Sequence, residues 1–97
     1  MIKKATSILT NTGIDVLLEG FSETELLAIE LKAGRADFKV FGQISMYIGL
    51  LSKQFPNRRI NGMIIAGSID ESLKNACSIT DKISIKTYRM KLELENA

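Results

Sequence analysis

Residues 26–32 of this chain, LLAIELK, place a glutamate and a lysine inside an otherwise apolar run. Side chains alternate along a β-strand, so Glu30 and Lys32 are predicted to share one face, with the leucine between them on the other. A charge that is buried in such a strand costs several kcal/mol unless it is paired or holds a metal. The segment therefore predicts a buried strand that carries a functional site.

A second apolar run, residues 13–18 (GIDVLL), contains Asp15 and is followed by a polar, glycine-containing break that is typical of a hairpin connection. If Leu18 pairs with Leu27, the antiparallel register places Asp15 opposite Glu30, with the two side chains roughly 5 Å apart on one face. A slip of one residue would instead send Asp15 to the opposite face. The register thus decides whether the two carboxylates meet.

Two facing carboxylates form a hard oxygen site that suits Mg²⁺ or Mn²⁺, and a lysine beside them is typical of a metal-dependent nuclease centre. The competing interpretation is a buried salt bridge whose role is purely structural, with each charge serving only to neutralise the other. An isolated E-x-K tripeptide would favour that interpretation because the tripeptide is common. The upstream Asp15, which also lies in an apolar run, favours the functional site.

The segment after the Glu30 strand predicts an amphipathic helix over residues 38–54, since its apolar residues recur at three- and four-residue spacing. Gly34 is expected to form the turn after the strand, and Asp37 to cap the helix. Gln43 lies on the border of the apolar face. Its sequence context alone favours a polar residue at the edge of the buried helix face, without a functional role.

The remaining elements complete a single α/β domain over residues 1–97. Residues 1–12 and 60–66 are predicted strands, the latter parallel to the Glu30 strand because a long helix separates them. Residues 68–71 (SIDE) indicate a capping box that opens a short helix ending near Cys77, and residues 82–89 a final strand. The predicted order is β-β-β-α-β-α-β, a mixed sheet flanked by helices.

Composition limits the class of protein. The chain has 97 residues, of which 45% are hydrophobic and 25% charged, as expected for one small globular domain. No signal peptide and no membrane-length apolar run is present, and the lone Cys77 forms no internal disulfide, so we expect a cytoplasmic protein. The absence of histidine excludes His-based zinc sites and the usual Ser/Cys–His nucleophile pairs.

Basic residues collect in three regions of a chain whose net charge is only +2. A solvated surface explains any one pair of them, whereas a phosphate-binding protein would use them for sequence-independent affinity. Aromatic residues make up 6% of the chain and tryptophan is absent, so base stacking is not an obvious mode of recognition.

Several motifs of the chain, in this order, match one known family. They are Gly13-Ile14-Asp15, the run from Ile29 to Asp37, Gly42-Gln43-Ile44 followed by Tyr47, the run from Asn61 to Ala66 and the run from Ile69 to Lys74. Through them the chain, from Gly13 to about Leu94, resembles the catalytic domain of NucS-type endonucleases in the PD-(D/E)XK (restriction-endonuclease-like) superfamily. The run around Glu30 with Gln43 is far more specific than E-x-K alone.

The resemblance implies a restriction-endonuclease-like fold and a metal-dependent endonuclease that hydrolyses phosphodiester bonds of nucleic acid, with DNA as the expected substrate. It implies that Asp15 and Glu30 are ligands of Mg²⁺ or Mn²⁺, that Lys32 is the catalytic lysine, and that Gln43 is the polar active-site residue of the following helix.

In such an enzyme we expect the Leu31 carbonyl to add a metal ligand, and Lys32, close to two carboxylates, to stay protonated and act on the phosphate. Arg35, just past the expected strand end, could reach an adjacent phosphate oxygen. An arginine on the protein surface without a functional role is an equally good interpretation of this position.

One feature departs from the family. Its members usually begin with a helix that brings a further acidic residue, yet residues 1–12 contain no Asp or Glu. The chain is then a fragment, or receives the helix in trans, or is a reduced relative. The alternative function is a non-catalytic nuclease-fold module that binds nucleic acid or completes a partner's site. An uncovered sheet, with Ile8, Leu17 or Leu27 exposed, predicts a homodimer or a partner-bound chain.

Overall fold

The computed structural model describes residues 2–6, 16–20, 24–89 and 94–96, with side chains described from residue 24 onward. Its elements follow the predicted order β-β-β-α-β-α-β. They are β1 (Ile2–Thr6), β2 (Val16–Gly20), β3 (Glu25–Ala36), α1 (Phe38–Gln54), β4 (Arg59–Ile69), α2 (Glu71–Cys77) and β5 (Ile83–Thr87). The α/β fold class is thereby confirmed. The first predicted strand is described only as β1, and residues 7–12 lie outside the described residues.

The strands form one mixed sheet in the order β1-β2-β3-β4-β5. The pairs β1–β2 and β2–β3 are antiparallel. The pairs β3–β4 and β4–β5 are parallel. Each parallel pair is joined through a helix, because a parallel connection must return the chain to the same end of the sheet. The predicted parallel pairing of the Glu30 strand with the strand after α1 is confirmed.

The register between β2 and β3 agrees with the prediction. Leu18 pairs with Leu27, and Val16 pairs with Ile29 at the last described position of this ladder. Asp15, the next residue toward the N-terminus, lies outside the described residues, as does Ile8. The predicted pairing of Asp15 with Glu30 therefore stays a prediction.

Helix α1 packs on β3 and β4 and also contacts α2, so the two helices lie together over the parallel part of the sheet. Buried side chains from both helices and three strands form the core between them: Leu26, Ala28, Ala36, Val40, Ile44, Ile48, Leu51, Ile60, Ile64, Ala66, Leu73, Cys77 and Ile83. Each fully buried large aliphatic side chain contributes about 1.5–3 kcal/mol. No described helix is both long and apolar enough to cross a membrane.

Both helices begin at an aspartate N-cap, although only one of these caps agrees with the prediction. Asp37 caps α1 and accepts a hydrogen bond from the Lys39 N–H at 2.9 Å, as predicted. The cap of α2 is Asp70, which accepts from the Ser72 N–H at 3.1 Å. The capping box predicted to start at Ser68 was wrong, because Ser68 is paired with β3 and still belongs to β4.

Strand β3 also differs from the prediction at its C-terminal end. Gly34 does not form a turn after the strand, since β3 continues to Ala36 and Gly34 lies inside it. The pairing with β4 shifts between Lys32 and Arg35, which marks a β-bulge. The expected turn was wrong because residues 67–69 extend β4 and supply a pairing partner for this end of β3.

Candidate active site

Glu30 and Lys32 lie beside each other on β3. Glu30 is buried, with 6% of its surface exposed, and its Oε1 is 3.3 Å from the Nζ of Lys32. The Lys32 side chain remains 36% exposed. The predicted sharing of one face by these two residues is confirmed. The pair has one buried, anionic end and one end that reaches solvent.

The position of β3 within the sheet explains the burial of Glu30. Strand β3 lies between β2 and β4, and Glu30 is paired laterally with Ile64, which is fully buried in the core. Removing a carboxylate from water costs several kcal/mol, and an ion pair with a half-solvated lysine offsets only part of that cost. Buried acids of this kind are concentrated at functional sites.

The oxygen donors at this position suit a hard divalent cation. A carboxylate and backbone carbonyls are ligands that Mg²⁺ and Mn²⁺ prefer, whereas zinc favours sulfur and nitrogen. Within the described part of the chain, which excludes Asp15, no group of three or more His, Cys, Asp or Glu side chains could hold a metal. Asp15, the other carboxylate of the predicted metal site, lies outside the described residues.

A bulge in β3 follows this pair. Lys32 pairs with Ala66 and Arg35 with Ser68, so residues 33 and 34 lie opposite the single residue Gly67. Beyond the bulge, Ala36 is fully buried in the core and the neighbouring Arg35 is exposed. The bulge therefore separates the Glu30–Lys32 pair from the exposed Arg35.

Arg35 is exposed and forms an ion pair with Asp70, the N-cap of α2. Asp70 also accepts hydrogen bonds from the hydroxyl and the N–H of Ser72. The Ser72 hydroxyl, then its N–H, then the Arg35 guanidinium hold the pKa of Asp70 below its ordinary value of 3.8. This ion pair fixes the guanidinium near the Lys32 end of the sheet.

Gln43 lies on α1 beside the buried Ile44 and is exposed to solvent. This is the boundary position that its sequence context favours. Its predicted role toward the carboxylates stays a proposal, as does the role of the Leu31 carbonyl.

Two residues of the site region were missed by the sequence analysis. The Tyr88 hydroxyl donates a hydrogen bond of 2.7 Å to the Ala33 carbonyl in the bulge. This bond passes Gly67, where an added methyl group would lie 3.3 Å from the Gly34 oxygen and 3.4 Å from the Ala33 oxygen. A glycine within an apolar strand often marks a bulge or a close backbone approach, and Gly67 was that signal.

The order of strands and helices and the mixed sheet define the α/β fold of this chain. Solved structures share this fold. A repair endonuclease from Pyrococcus abyssi matches with a TM-score of 0.66 and 20% identity, covering 77% of this chain and 32% of that protein. EndoMS in its apo form matches with a TM-score of 0.69 and 20% identity, covering 95% and 38%. EndoMS in a complex with double-stranded DNA matches with a TM-score of 0.67 and 18% identity, covering 82% and 32%.

The resemblance to NucS-type endonucleases, predicted from the sequence, is confirmed at the level of the fold. No protein-family model matches the sequence, and no curated protein matches it. The chain spans about a third of the length of the solved proteins that it matches.

Proposed function

We propose that this chain is a metal-dependent endonuclease domain that hydrolyses phosphodiester bonds of DNA. The observation that carries the proposal is the buried Glu30 carboxylate, 3.3 Å from the Lys32 ammonium, on the central strand of a nuclease-like fold. The DNA complex of one structural neighbour supports nucleic acid as the partner.

Asp15 and Glu30 would hold Mg²⁺ or Mn²⁺, together with the Leu31 carbonyl. The β2–β3 ladder supports this assignment, because one further step beyond the Val16–Ile29 pair would bring Asp15 opposite Glu30. Oxygen donors of this type fit such a cation. When bound, the cation supplies Lewis-acid chemistry, withdrawing charge from the scissile phosphate and acidifying water.

The residues of this chain then have separate tasks. Lys32, which is partly exposed, donates a hydrogen bond to the phosphate oxygen on which negative charge increases as water attacks phosphorus. The P–O bond to the leaving oxygen breaks as the bond from the water oxygen forms. The attacking water loses a proton to solvent, and the leaving oxygen takes one up. Arg35, which is exposed, contacts an adjacent phosphate, and Gln43 orients groups at the site from α1.

The test is cleavage of a labelled DNA duplex with Mg²⁺, with Mn²⁺ and with a chelator. We expect metal-dependent cleavage that falls to background in Asp15→Ala and in Glu30→Gln. Lys32→Ala should also lose cleavage while keeping metal affinity, because Lys32 acts mainly as charge develops at the phosphate. Bound Mn²⁺ should raise the melting temperature of the wild type, and Asp15→Ala should abolish the rise.

Glu25→Gln is the matched control. Glu25 lies on the same strand as Glu30 but is exposed and pairs with Arg59 at 3.7 Å, so the same substitution there should leave cleavage unchanged. Cleavage that survives both Asp15→Ala and Glu30→Gln would place the activity at another site. DNA binding without cleavage would favour the alternative, a non-catalytic nuclease-fold module.

We also propose that the domain works as a homodimer or bound to a partner chain. Leu31 is 49% exposed on the face of β3 that Glu30 does not occupy, and Leu27 on that face is only partly buried. Apolar area of this kind often marks an interface. Sedimentation at high micromolar concentration should show a dimer that Leu31→Lys weakens; a wild-type monomer would count against self-association.

A further inference from the structure

The side chain of Tyr88 spans the parallel part of the sheet, from the residue after β5 to β3. Its backbone N–H donates to the Ala66 carbonyl of β4 at 3.1 Å, and its hydroxyl reaches past β4 to the Ala33 carbonyl of β3 at 2.7 Å. A single side chain thus joins the residue after β5 to the bulge of β3, with β4 between them. Its phenol ring leaves the hydroxyl few accessible positions, since a tyrosine has only two side-chain torsions.

The path of the tyrosine depends on Gly67. A methyl group at position 67 would lie 3.3 Å from the Gly34 oxygen, 3.4 Å from the Ala33 oxygen and 3.7 Å from the Tyr88 hydroxyl. The first two contacts are tighter than most carbon contacts, so the bulge carbonyls would have to move by a few tenths of an ångström. Gly67 and Tyr88 therefore both act on the same two carbonyls.

Those carbonyls belong to the two residues that form the β3 bulge. Residues 33 and 34 lie opposite one residue of β4, directly after Lys32. If the bulge were to regularise or slip, the twist of the strand after Lys32 would change, and with it the direction of the Lys32 side chain. The conformation of the bulge thus sets how Lys32 is placed beside Glu30, to which its Nζ lies at 3.3 Å.

We propose that Tyr88 is a positioning residue, whose hydroxyl holds the β3 bulge in the conformation that keeps Lys32 beside Glu30. The assignment of Lys32 to a phosphate contact rests on the proposed function. Tyr88 acts through the Ala33 carbonyl, so its removal changes the orientation of Lys32 and leaves its charge unchanged.

Tyr88→Phe removes the hydroxyl and keeps the ring. We expect kcat for DNA cleavage to fall by about ten- to a hundredfold, as small misplacements of catalytic groups do, while KM stays within about twofold because the charge of Lys32 remains. Gly67→Ala should reproduce the loss from the other side of the bulge, since it displaces the same carbonyls.

Ser84→Ala is the matched control. The Ser84 hydroxyl donates to the Gly62 carbonyl at 3.4 Å, so it also links β5 to a backbone carbonyl, but away from the bulge. Its loss should leave kcat unchanged. A fall in kcat of equal size in Ser84→Ala and Tyr88→Phe would mean that any lost contact of β5 has this effect, and would overturn the proposal.

Amide hydrogen exchange gives a measure that does not depend on activity. Exchange at Gly34 and Arg35 should accelerate in Tyr88→Phe and in Gly67→Ala, and not in Ser84→Ala. Unchanged exchange in Tyr88→Phe overturns the proposal whether or not the wild type cleaves DNA. If the wild type does not cleave DNA but exchange is accelerated in Tyr88→Phe, the role of Tyr88 in the bulge is supported and only the proposed function is rejected.

Discussion

Among the individual residues, Glu30 and Lys32 show how one carboxylate can be buried at the cost of local stability. Glu30 is 6% exposed, and its ion pair extends through Lys32 toward solvent. A hydrophobic residue at position 30 would suit the surrounding core better. Since Ile64 flanks Glu30 in the ladder, the acid occupies an apolar position, which is the pattern expected of a functional group.

Asp70 makes a pH-dependent contribution to stability. Its pKa is lowered on folding, first by the Ser72 hydroxyl, then by the Ser72 N–H and by Arg35. A lowered pKa means that the ionised carboxylate stabilises the folded state above pH 3.8, and that this contribution is lost as the pH falls through the lower folded-state value. Asp70→Asn, which can still cap α2, should therefore unfold more easily than the wild type at pH 7 and equally easily at the lowest pH.

Urea unfolding at several pH values measures this difference. Asp37→Asn at the N-cap of α1 serves as the control for changing an aspartate to asparagine at a helix start. A difference between wild type and Asp70→Asn that does not vary with pH would show that the charge of Asp70 plays no part in stability.

Among the elements, α1 depends on a glycine in the strand below it. Gly62 of β4 lies directly beneath the helix, and a methyl group there would come within 2.8 Å of Ile44 Cδ1 and 2.9 Å of Ile48 Cδ1. Both isoleucines are buried in the core. The glycine thus sets how closely α1 approaches the sheet.

Gly62→Ala should destabilise the protein by about 1–3 kcal/mol through overpacking. Gly49→Ala is the matched control, because Gly49 is exposed in the interior of α1 and an added methyl group would have no neighbour within 4 Å. That change should stabilise the protein by about 0.5–1 kcal/mol through helix propensity. The two changes in the free energy of unfolding relative to the wild type, measured in urea, should have opposite signs. Equal signs would contradict the packing argument.

For the whole molecule, the described core joins side chains from both helices to β3, β4 and β5 in one cluster. Cys77, at the end of α2, belongs to this cluster and is 7% exposed. The core is small enough that we expect it to unfold as one cooperative unit.

Cys77 offers a direct probe of that unfolding. Burial raises the pKa of its thiol, so little thiolate is present at neutral pH and the folded protein should react slowly with a thiol reagent. The rate of modification in rising urea concentration should follow the loss of secondary structure. Rapid modification in native buffer would show that α2 opens independently of the rest of the core.

Local patterns along the chain determined most of the elements. The three- and four-residue spacing of apolar residues predicted α1 over residues 38–54, which are its observed limits, because an amphipathic helix must bury one face. The pairing of Leu18 with Leu27 was an assumed register, favoured because it keeps the apolar faces together, and the observed ladder agrees with it. The alternation of side chains along a strand placed Glu30 and Lys32 on one face.

The tertiary structure alone decided the features that depend on partners distant in the sequence. The bulge after Lys32 forms because β4 supplies one residue opposite two, and Ser68 extends β4 because this end of β3 is available for pairing. Tyr88 bonds to Ala33 across 55 positions of sequence, past Gly67. Periodicity within a segment carries no information about such contacts, because their free energy arises only once separate strands have been brought together.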